Sequence, residues 1–145
     1  MPSAIDDRTA AYIIESHPIF EDLRQVAAQV AGLLILAASG SKEWVPDHPM
    51  LVSAAQVFAH SADALARGRA PVGENARAHL RCLVDAGAAL GRALSAAERW
   101  PIDIDAVMMP LRQAYSALQR ASWLLPGFQI VSFEQACCSV TRAPA

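Results

Sequence analysis

Lysine is almost missing from this chain. Lys42 is the only one, and arginine fills the role elsewhere, a bias that GC-rich bacterial codon usage would produce. Charged residues of both signs make up only 18% of the 145 residues, against 54% hydrophobic. That balance excludes a disordered chain, which is poor in apolar residues. The formal charge of −2 excludes the basic excess of a general nucleic-acid binder, so no nucleic-acid partner is expected. Cysteine is scarce and odd in number: Cys82, Cys137 and Cys138. Three thiols are too few for a disulfide framework and suit a reducing compartment, so the cytoplasm is expected. Long apolar runs are lacking too. Val26 to Ala38 is the longest, about 13 residues broken by Gln29, short of the roughly 20 a membrane span needs. Acidic Asp6, Asp7, Glu15, Glu21 and Asp22 precede it, where a signal peptide carries positive charge.

Chemical motifs are equally sparse. There is no Glu-x-x-His pair, no spaced Cys/His quartet and no Cys-x-x-Cys-His, so no di-iron, zinc or c-type haem site is expected. No Walker loop, dinucleotide glycine motif or Gly-x-Ser-x-Gly elbow occurs either. These gaps point away from the commoner enzymes and lead to no expected cofactor.

What is present is alanine and leucine at helical spacing. Ser16-His17-Pro18 reads as a helix start, with proline in the first turn. Ile19, Leu23, Val26, Val30 and Leu34 follow at helical intervals. Asp47-His48-Pro49 starts a second helix of the same kind, striped by Leu51, Ala55, Phe58, Ala62 and Leu65. A third runs from about Glu74 to Glu98, and a fourth, capped by Asp103 or Asp105, runs to Pro126-Gly127. Ala10 to Ile14 reads as a separate short N-terminal helix. The apolar segment from Phe128 to Cys138 is expected to dock. The fold class expected is therefore all-α, one domain over residues 1–145: an antiparallel four-helix bundle with a short N-terminal helix and a docked C-terminal segment.

Two groups of residues carry functional expectations. On the third helix, Gly87 and Gly91 sit one turn apart beside alanines, and small residues at that spacing let another backbone approach. With Phe128, Ile130 and Phe133 of the apolar tail they form the candidate interaction face. The second group is His79 with Arg77 and Arg81, a candidate ligand or phosphate site. A helical bundle bearing Ala78-His79 near arginines resembles histidine-phosphotransfer domains. The resemblance covers the architecture and that dipeptide alone. The family has leucine, lysine and glycine at the second, third and fourth positions after its histidine. Here Arg81, Cys82 and Leu83 stand there, so the glycine that makes room for a docking receiver is replaced.

The expected function is a non-enzymatic helical protein-interaction module or small accessory subunit. Its partner is a protein or a second copy of itself, in a homo-oligomer without a membrane span. The alternative is a ligand-binding or phosphotransfer-like bundle using His79 and its arginines. It requires His79 to be reachable from solvent.

Overall fold

The computed structural model describes residues 7–38, 73–97 and 103–136. They form three long helices: α1 (Asp7–Ala38), α2 (Glu74–Ala97) and α3 (Ile104–Leu124). No strand occurs among the described residues, so the all-α expectation holds for them. The expected helix over residues 47–67 lies outside them. None of the described helices is long and apolar enough to cross a membrane.

α1 differs from the expected pair of elements. The short N-terminal helix and the helix from Pro18 are one, with Pro18 inside it. The reason is the packed stripe. Tyr12, Ser16, Phe20, Leu23, Val26 and Val30 are all buried, and they recur every three or four residues on both sides of the proline. Burial of one continuous face outweighs the hydrogen bond that proline removes. Pro18 itself is exposed, on the face where a freed carbonyl can meet water.

α2 and α3 behave as their sequences predict. Asp103 is the N-cap of α3, and its side chain accepts from the Ala106 amide at 3.3 Å. α2 buries Leu80, Leu83, Leu90 and Leu94, with alanines between them. α3 answers with Val107, Leu111, Ala114 and Leu118. Alanine at so many facing positions lets the two axes lie close, and their shared interface is the most extensive among the three described helices.

After Leu125 the chain turns at Gly127, whose φ is +91°, a conformation glycine adopts without a Cβ penalty. The following segment packs on the helices. Phe128 lies against the Phe20 ring, 5.0 Å between centroids, and Phe133 against Tyr115 at 5.8 Å. Ser132 and Gln135 then hold a last helical turn. The Ser132 Oγ accepts from the Gln135 amide at 3.1 Å, and the Gln135 Oε1 accepts from the Ser132 amide at 3.2 Å, the reciprocal pair of a capping box.

Candidate functional site

His79 lies in the second turn of α2 and is fully buried, 0% exposed. Its Nδ1 is 2.8 Å from the Tyr12 hydroxyl. The Phe128 ring centroid lies 4.2 Å from its own, and Tyr12 meets it edge-on at 5.4 Å. Ser16, one turn after Tyr12, is also buried, and its Oγ donates to the Ile13 carbonyl at 3.3 Å. The Nε2 atom finds no hydrogen-bond partner among the described residues.

Burial sets the protonation of this cluster. It pushes His79 down from 6.5 to about 4, because an imidazolium would sit among aromatic rings away from water. It pushes Tyr12 well above its usual 10, against a smaller lowering by the neighbouring Ser16 side chain. Cys82, also buried, has its thiol raised by burial, which Arg120 and Arg81 partly counter. At neutral pH the group is an uncharged imidazole, a phenol and a thiol. A raised, enclosed thiol is a poor nucleophile.

This geometry does not meet the requirement set for the phosphotransfer alternative. A phosphoryl group transferred to His79 would have to reach a nitrogen sealed inside the core. Arg77 and Arg81 are exposed. Each is two residues from His79, about 200° around a helix, so they point away from it. The structure does not assemble these three residues into one site.

The residues of the candidate interaction face are mostly spent inside the chain. Gly87, Phe128 and Phe133 are buried, and only Gly91 and Ile130 are partly open. A Cβ added at Gly91 would meet nothing within 4 Å. Among the described residues, no close backbone approach there requires glycine.

Two concave surfaces are formed among the described residues. One, of about 600 Å³, lies between α1 and the tail, with Glu21, Arg24, Tyr115 and Ile130 in its wall; the first two pair at 2.6 Å. The other, of about 520 Å³, is a groove between α2 and α3. Ala88, Ala89, Ser116 and Ala117 line it together with Arg92, Arg112, Arg120 and Asp85. Arg92 donates to Gln113 Oε1 at 3.0 Å. Arg112 lies 4.9 Å from the Phe133 ring centroid and 3.9 Å from Glu134. Met109, 67% exposed, sits at the groove.

Sequence reasoning missed Met109, Arg112, Arg120 and Ile14. The signal was the wet stripe of each helix. Met109, Arg112, Ser116 and Arg120 recur at helical intervals, opposite the packed stripe of Leu111, Ala114 and Leu118. Among the described residues no three of His, Cys, Asp and Glu converge to hold a metal ion. No protein-family model, curated protein or solved structure matches the chain.

Proposed function

We propose that this chain is a non-enzymatic helical protein-interaction module that assembles with copies of itself. The arrangement that goes with the proposal is an antiparallel four-helix bundle. The short link of residues 98–103 supports α2 and α3 as antiparallel neighbours in it.

One observation carries the reading. Large apolar side chains stand in water on helices whose other faces are fully packed: Trp123 at 75%, Ile14 at 73% and Met109 at 67% exposed. Tryptophan and methionine are enriched in interface cores, and a solvated tryptophan is a ready anchor. The buried, neutral His79 cluster supports the same reading, since it serves as packing and offers no group to a substrate.

Sedimentation velocity over about 1 to 100 µM, a range that brackets moderate affinities, tests the proposal. Species heavier than one chain, growing with concentration, are expected. A single 15.5 kDa species at every concentration overturns it.

A further inference from the structure

We infer that the α2–α3 groove of one copy receives the exposed acidic face of α1 from another. The inference rests on the self-association proposed above and names its surfaces.

The groove is a basic trough with a small-residue floor. Arg92, Arg112 and Arg120 stand against one acid, Asp85, over Ala88 and Ala117. Arg120 makes no ion pair among the described residues. Alanine and serine along the floor leave room for a helix to lie close. No residue of α1 lines this groove, so the chain's own α1 does not fill it.

The exposed face of α1 complements it. Asp7, Ala11, Ile14, Glu15 and Pro18 are all exposed and fall on one side of the helix by their spacing. Asp22, half-buried, continues the line. Arg8 is the one exposed base beside it, about 100° around from Asp7. Ile14 therefore stands between acids, as Met109 stands among arginines. The charge spacing also matches. Asp7 and Glu15 are eight residues apart, and so are Arg112 and Arg120, about 12 Å along a helix in each case. A helix laid antiparallel to α3 brings Glu15 to Arg112 and Asp7 to Arg120, with Ala11 over the floor.

Complementary potentials steer such an encounter and fix its register. The two surfaces are different patches of the same chain, so the contact is heterologous. It propagates into a ring or an open chain of copies rather than pairing one patch with itself.

The test exchanges the charges in the full chain. One variant carries Asp7→Arg and Glu15→Arg; the other carries Arg112→Glu and Arg120→Glu, the two positions opposite them in this register. All four positions are exposed, and circular dichroism checks that helix content is kept. If either double variant loses helix, the single changes Asp7→Arg and Arg120→Glu take its place, leaving Arg112 and its contacts with the tail untouched. Each variant alone sets like charge against like. Its self-affinity in sedimentation should fall at least about tenfold. An equimolar mixture restores opposite charges at every contact and should assemble again. Raising salt from about 0.05 to about 0.5 M should weaken wild-type assembly. Variants that assemble as wild type does, a mixture that stays apart, or salt-independent assembly overturn the groove while leaving self-association standing. A wild type that is monomeric throughout overturns both.

Discussion

The Tyr12 hydroxyl lies 2.8 Å from His79 Nδ1, joining the second turn of α1 to the second turn of α2. A neutral imidazole has one donor and one acceptor nitrogen. If Tyr12 donates, Nε2 carries the proton and its N–H has no acceptor among the described residues. If Nδ1 donates, Nε2 is a lone pair with no donor. Either way the bond to Tyr12 is, among the described residues, the one polar contact offsetting the cost of enclosing this ring.

Removing the hydroxyl alone should therefore be costly. Tyr12→Phe leaves both ring nitrogens buried without partners and is expected to lower stability by about 1–3 kcal/mol. His79→Leu leaves the Tyr12 hydroxyl its Ser16 neighbour and removes the unpaired nitrogen, so it should cost less. The double variant should be more stable than the two single losses added together, by about 1 kcal/mol or more. Urea unfolding of the four proteins measures this. Strictly additive losses would mean that the two groups are not coupled.

Acid should act through the same ring. His79 is held near 4 in the folded chain against 6.5 for a free histidine. Between those values the unfolded chain binds the extra proton, so folding stability falls as pH drops from about 6.5 and the loss is nearly complete by about 4. The shift corresponds to about 3 kcal/mol. Unfolding midpoints of wild type and His79→Leu, compared from pH 7 to pH 4, isolate this contribution from that of the carboxylates. Parallel curves would show that His79 is not the group responsible.

Two glycines should respond oppositely to alanine. Gly127 holds φ at +91°, so Gly127→Ala should cost about 1–2 kcal/mol of backbone strain. Gly91 lies inside α2 with open space where a Cβ would go. Gly91→Ala should gain about 0.5–1 kcal/mol of helix propensity. Thermal melts of both variants decide it. A destabilised Gly91→Ala would restore the close-contact reading of that residue.

Trp123 separates association from folding. Its side chain is largely in water, so Trp123→Ala should change stability by no more than about 0.5 kcal/mol. As an interface anchor it should weaken self-association about tenfold or more. An unchanged sedimentation profile would remove Trp123 from the contact and take with it the strongest support for the proposed function.

Much of the described fold was legible because local rules decided it. Asp103 caps α3, Gly127 turns the chain, and the leucines and alanines of α2 face inward as their spacing says. The Ser132–Gln135 capping box is also written in the sequence, and residues 133–136 form the helical turn it starts. The candidate site was less legible. His79 beside an apolar stripe reads as a half-buried structural histidine before it reads as an accessible one, and its partner Tyr12 is 67 residues away. No periodicity reports a contact at that separation. The separation of Arg77 and Arg81 from His79 was available from the start, because residues two apart on a helix do not share a face. The groove required two wet stripes from different helices to be set side by side, which only the packing of α2 on α3 does.

Pro18 gives the sharpest test of how α1 is built. A proline in the first turn of a helix costs nothing, since its amide would be unpaired there in any case. Replacing such a residue with alanine would leave stability unchanged or lower it. In α1 as it stands, eleven residues of helix precede Pro18. Its ring then crowds the carbonyl of Ile14, and its missing N–H leaves that carbonyl without its helical partner. Pro18→Ala, at an exposed position, should therefore stabilise the chain by about 1–3 kcal/mol and protect the amide of residue 18 against hydrogen exchange. A loss of stability would break α1 into the two elements its sequence suggests. It would also remove the continuous acidic face on which the α2–α3 groove is proposed to close, because Asp7 and Glu15 would no longer share a helix with Asp22.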